Sequence, residues 1–129
     1  MYEQPKGFEE MIDAARAERW DFVDEHIGEF ADNPEVFAWA AGGGLEDADG
    51  NIRDLAASIL EKSTKSLEPR TRGKLLSLID GDPNIYVQFR SSFALYVRGY
   101  RLEKVVLKLR EASKDPATEN IAKGYLAER

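Results

Sequence analysis

Three aspartates recur at one interval. Asp49, Asp82 and Asp115 stand 33 residues apart, opening the segments Asp49-Gly50-Asn51-Ile52, Asp82-Pro83-Asn84-Ile85 and Asp115-Pro116-Ala117-Thr118, each ahead of a stretch with helical periodicity. A unit of about 20–50 residues cannot bury its apolar face alone and acquires a core by stacking on the next unit. The interval therefore restricts the chain to layered helical hairpins, and it says little about activity.

Apolar spacing fills in the helices. Phe8, Met11, Ile12 and Ala15 follow the i, i+3, i+4, i+7 rule and predict a first helix from Pro5 to Glu18. Trp20, Val23, Ile27 and Phe30 mark a second, ending near Asp32. Asn33-Pro34 supplies an N-cap followed by proline at the first helical position, where its missing N–H costs nothing. That third helix carries Val36, Phe37, Ala40 and Ala41 and ends at Gly42-Gly43-Gly44. A fourth starts near Asp49 with Ile52, Leu55, Ala56, Ile59 and Leu60, and a loop follows at Ser63–Leu67. Pro69 opens a fifth with Leu75, Leu76, Leu78 and Ile79, closed by Asp80-Gly81. Asp82 is expected to cap the sixth, whose stripe is Ile85, Phe89, Phe93, Tyr96 and Tyr100. Gly99 permits a turn into a seventh (Leu102, Val105, Val106, Leu109), and Asp115-Pro116 is expected to cap an eighth (Ile121, Ala122, Tyr125, Leu126). Short helices joined by such turns pack as antiparallel neighbours.

These segments resemble HEAT repeats, in particular the short prokaryotic type. Asp49-Gly50-Asn51-Ile52-Arg53-Asp54-Leu55-Ala56-Ala57-Ser58-Ile59-Leu60 is similar to the second helix of such a unit, which begins Asp-x-x-Val/Ile-Arg. Leu75 to Val87 resembles the end of one helix, the turn and the start of the next; Asp32 to Ala41 reads similarly. The likeness covers roughly residues 20–129. Val36 and Ile52 are 16 residues apart, too close to start two full units, and the motif arginine at Arg53 is replaced by Tyr86 and Glu119 in the later copies. The resemblance implies an all-α, α-α superhelix or HEAT-like repeat solenoid of seven to eight short helices. It also implies a family that consists mostly of protein-binding scaffolds. Some members act as chromophore lyases, and related alkylation-repair repeats bind damaged DNA.

At 129 residues, 43% hydrophobic and 33% charged, the chain reads as one folded domain, 1–129, with 1–32 as irregular N-terminal helices and 33–129 as repeat units. The absence of cysteine excludes disulfide scaffolds, thiolate zinc sites and cysteine nucleophiles. No apolar run approaches the ~20 residues that span a bilayer, and Met1–Lys6 lacks the features of a signal peptide. A cytoplasmic protein with no membrane association is the expectation. The net charge of −6 is unevenly spread: residues 1–54 hold 15 acidic and 4 basic side chains, residues 55–129 hold 9 and 14.

Chemistry-bearing patterns are thin. His26, the sole histidine, sits among Asp24, Glu25 and Glu29 and reads as structural, since a metal needs several converging ligands. Asp24 and Glu25 are adjacent, so they point to different sides of a helix and form no acid/base pair. Asp47, Asp49 and Asn51 alternate as in a calcium loop, but Ile52 and Ser58 occupy its glycine and glutamate positions. Gly42-Gly43-Gly44 lacks the strand and the Lys-Ser/Thr of a phosphate-binding loop. No catalytic residue, metal site or cofactor is expected.

The basic half carries the strongest signal. Arg90, Arg98 and Arg101 form a helical row that Lys104 and Lys108 continue, Arg70 and Lys74 sit one turn apart, and Tyr86 lies one turn before Arg90. These eight residues are the expected binding surface, assembled as a groove for phosphate or carboxylate. The reading is a non-enzymatic scaffold or adaptor binding a protein partner through an acidic segment. The alternative is nucleic-acid binding through the basic C-terminal helices, against which stands a pI near 4.9. Head-to-tail self-association of the two charged halves is a further form.

Overall fold

The structure, a computed structural model, describes residues 7–127. They form eight α-helices: α1 Phe8–Arg16, α2 Trp20–Phe30, α3 Pro34–Ala41, α4 Gly50–Lys62, α5 Pro69–Gly81, α6 Ile85–Tyr96, α7 Glu103–Ala112 and α8 Glu119–Ala127, with one 3₁₀ turn, Gly43–Glu46. No strand occurs among the described residues, and no helix there is long and apolar enough to cross a membrane. The predicted start of the first helix at Pro5 lies outside them.

Neighbouring helices pair as α1 with α2, α3 with α4, α5 with α6 and α7 with α8. The even-numbered helices then lie side by side, α2 on α4, α4 on α6 and α6 on α8, while α5 also meets α7. This places α4 and α6 in the middle, covered on several sides. On α4, the run Leu55–Glu61 is buried throughout, and on α6 Val87, Phe89 and Ser91–Tyr96 are buried. Each fully buried large apolar side chain contributes roughly 1.5–3 kcal/mol. The single stripe expected on the sixth helix is therefore corrected: Phe89, Phe93 and Tyr96 are buried, but Ile85 and Tyr100 are exposed. Ala94 and Leu95 extend the buried surface in their place, because α6 faces four helices rather than one.

The turns before α4, α6 and α8 each hold an aspartate whose side chain accepts from the backbone two residues on, whereas the turn before α2 has no such bond. Asp47 Oδ1 accepts from Asp49 N (2.8 Å), Asp82 Oδ1 from Asn84 N (2.8 Å) and Asp115 Oδ1 from Ala117 N (2.9 Å). Asp47 and Asp82 are equivalent, each two residues ahead of a cap, whereas the Asp115 carbonyl accepts from Thr118 N (3.1 Å) and Glu119 N (2.8 Å), as the carbonyls of Asp49 and Asn84 do at their own helix starts. Asp49 corresponds to Asn84, and these two are the N-caps, accepting from Asn51 N and Tyr86 N at 2.8 Å each. Asp82 does not cap α6 as expected, whereas Asp115 caps the turn that leads into α8, its side chain accepting from Ala117 N and its carbonyl from Glu119 N. In this register Arg53 matches Gln88, not Tyr86. Arg53 Nη1 donates to Asp47 O (2.8 Å) as Gln88 Nε2 donates to Asp82 O (2.7 Å). Arg53 also grips Asp82 of the next turn through Nε (2.7 Å) and Nη2 (3.1 Å), joining successive layers.

Close approach explains one glycine of the triplet. A Cβ on Gly44 would stand 2.9 Å from Ala56 Cβ and 3.2 Å from the Trp39 ring, so the 3₁₀ turn can press onto α4 only without a side chain. Gly99, with φ of 90°, ends α6 in the left-handed region, its N–H donating to Tyr96 O while Tyr100 N donates to Leu95 O. The same pair of bonds ends α1, from Glu18 N to Ala15 O and Arg19 N to Ala14 O. There the left-handed position is held by Glu18 (φ 60°), a conformation disfavoured for a residue with a Cβ.

Candidate functional site

The side-by-side even helices leave a cleft of about 600 Å³ across their N-terminal ends. Glu18 and Trp20 border it at the start of α2, with Asp24 one turn on. α4 contributes Asn51 and Asp54; Asn84, Ile85, Tyr86 and Arg90 come from the start of α6, and Ala117 and Thr118 from the turn before α8. Ile85 is 41% exposed and Tyr86 37% exposed, so apolar surface faces solvent within the cleft. Tyr86 Oη lies 3.4 Å from both oxygens of Asp115.

Beneath this cleft lies an ionic cluster shared by α4, α6 and α8. Arg90 Nε stands 3.5 Å from Asp54 Oδ1, and Arg90 Nη1 stands 3.3 Å from Glu61 Oε1. Glu61, whose side chain is fully enclosed, also accepts from Tyr125 Oη. Arg90 rests 5.8 Å from the centre of the Phe93 ring. Asp54 receives Ser58 Oγ at 3.4 Å. Burial pushes Asp54 up to about 6; Arg90 and Ser58 oppose this, whereas Glu61 and Asp24 add to it. Burial works against the charge of Arg90, but Glu61 and Asp54 outweigh it and hold its pKa above the usual arginine value. A carboxyl group raised by burial at the edge of a cleft marks a candidate site for ligand contact.

The structure distributes the eight expected binding residues rather than assembling them. Tyr86 and Arg90 line the cleft, but Arg90 is committed to Asp54 and Glu61. Arg70 and Lys74 line a separate recess of about 340 Å³ between α3 and α5, where Lys74 pairs with Glu46 at 2.8 Å. Arg98 closes the loop after α4, donating to Ser63 O (2.7 Å) and Lys65 O (3.0 Å). Arg101 stacks 4.1 Å from the Tyr96 ring centre. Lys104 meets Asp80 at 2.6 Å, and Lys108 meets Glu111 at 2.7 Å and Gln88 at 2.8 Å. Folding brings acids of the N-terminal half against bases of the C-terminal half, as in Lys74–Glu46 and Arg90–Asp54, so the charge asymmetry is partly neutralised inside the molecule.

Sequence reasoning missed Trp20, Asp54, Glu61 and Tyr125 as site residues. A signal was present: Asp54 and Glu61 stand seven residues apart on either side of the mostly apolar run Leu55–Leu60, placing two carboxylates on one buried face. His26 Nδ1 donates to Glu29 Oε2 at 2.7 Å, and that contact raises the pKa of the imidazole. Among the described residues no group of three His, Cys, Asp or Glu side chains could hold a metal ion. No family model matches this chain, and neither a curated protein nor a solved structure matches it.

Proposed function

We propose that this chain is a non-enzymatic scaffold that binds an extended segment of another protein in the cleft across α2, α4, α6 and α8. The hairpins form a short HEAT-like stack in this reading, and a stack presents one continuous surface built from successive units. The single observation that carries it is the cleft itself, where the exposed Ile85 and Tyr86 line a space shared with Trp20 and with the polar side chains of Asn51, Asp54 and Asn84. Exposed aromatic and aliphatic groups next to fixed polar groups suit peptide recognition.

The acidic segment expected from the basic rows has less support than a cationic or neutral one. Glu18, Asp24 and Asp54 outnumber Arg90 in the cleft, and Lys74, Lys104 and Lys108 are already paired. The same pairing weakens the nucleic-acid alternative, which needs cations free to replace counterions. A random peptide display library selected on the immobilised chain tests the reading. Enrichment should be lost on an Ile85→Ser/Tyr86→Ala variant, both exposed positions whose exchange leaves the core intact. Equal capture by that variant, or no enriched peptide, refutes it.

A further inference from the structure

Asp54 is held in a way that an internal role alone does not explain. The residue is 7% exposed yet borders the cleft. Its two contacts both reach Oδ1 and both are long, 3.4 Å from Ser58 and 3.5 Å from Arg90, and Oδ2 accepts no hydrogen bond from the described residues. Arg90 divides its guanidinium between the two acids, meeting Glu61 at 3.3 Å through Nη1. A buried carboxylate normally gathers short, charge-assisted partners. Here one oxygen is left over beside a space of about 600 Å³.

We propose that the cleft receives an arginine side chain of the bound protein segment, its guanidinium seated against Asp54 with Trp20 and Tyr86 as apolar lining. The inference rests on the cleft being a peptide site and names the residue it selects. Arginine fits better than lysine, because its planar, weakly hydrated fork can donate to a carboxylate while its face lies on an aromatic ring. The charges facing Asp54 are Asp24 from α2, Glu61 from its own helix and Arg90 from α6, with Glu18 from the α1–α2 turn at the cleft wall; the balance is negative. With Asp54 pushed up to about 6, a proton and the guanidinium compete for the same carboxylate, so binding strengthens as pH rises through that value.

The test uses three short peptides, alike except for a central arginine, citrulline or glutamate between leucines, titrated into the ¹⁵N-labelled chain. The arginine peptide should shift the Trp20 indole and Asn51 side-chain signals. It should bind roughly tenfold to a hundredfold more tightly than the citrulline peptide, as a charge-assisted pair worth about 1.5–3 kcal/mol requires. Asp54→Asn should remove that preference while the chain remains folded, and binding of the arginine peptide to wild type should weaken several-fold below about pH 6. Equal cleft shifts with all three peptides overturn the arginine inference and leave the peptide site standing. Shifts confined to other surfaces, or none, overturn the inference too; the display selection then decides the peptide site independently.

Discussion

Replacing Arg90 with methionine removes a cation that faces two carboxylates and keeps most of its volume. The guanidinium stands 3.5 Å from Asp54 and 3.3 Å from Glu61, and the Glu61 side chain is fully enclosed. Removing one partner of a buried pair leaves an uncompensated charge in low dielectric and costs about 3–5 kcal/mol. For 129 residues, an unfolding entropy of about 2.1 cal/mol/K per residue gives roughly 0.27 kcal/mol/K, so the melting temperature should fall by roughly 11–18 °C near neutral pH. Scanning calorimetry at several pH values measures this. Without Arg90 the carboxylate of Asp54, already pushed up to about 6, takes up its proton more readily, so the deficit should narrow in mild acid. A Glu61→Gln/Arg90→Met double variant should recover part of the loss, since the enclosed charge is gone. A fall of less than about 4 °C that does not change with pH would refute the argument, as it would equate to about 1 kcal/mol, the worth of a surface pair.

Asp54→Asn should behave in the opposite sense. The folded pKa of about 6 lies above the unfolded value of about 3.9, so the native state holds a proton that the unfolded chain releases. Stability from this group is present below pH 4, declines between about 4 and 6 and stays lost above. The asparagine variant should therefore gain stability above pH 6, by at most on the order of 3 kcal/mol, and lose that slope in denaturant titrations; a variant less stable than wild type at pH 8 would contradict this. Glu18→Gly should raise stability by about 1 kcal/mol, because glycine adopts φ of 60° without strain. Gly44→Ala should destabilise by about 1–3 kcal/mol, since its Cβ meets Ala56 at 2.9 Å and backbone stands behind it. Lys104→Ala, which breaks an exposed pair with Asp80, should leave the melting temperature unchanged within error, in contrast to Arg90.

What the sequence determined by itself is the helical class and most of the helix positions. Local signals sufficed there, because Asn33-Pro34 caps α3 and the apolar spacing of Phe8, Met11 and Ala15 is satisfied within one helix face. Turn register was less legible. Asp49 and Asp82 look alike as aspartates before a helix, but one is a cap and the other an anchor for Arg53. Identical residue types serve both roles, and the distinction is which backbone N–H and which neighbouring guanidinium fall within reach. The candidate site was read from the wrong charges. A helical row of arginines and lysines is the same in sequence whether it faces solvent, a carbonyl or a buried acid, and only the stacking of α4 against α6 turned Arg90 inward onto Asp54 and Glu61. The cleft likewise exists only after four separate helix starts are brought together, because an opening between layers is a property of their packing and has no local signature in any one of them.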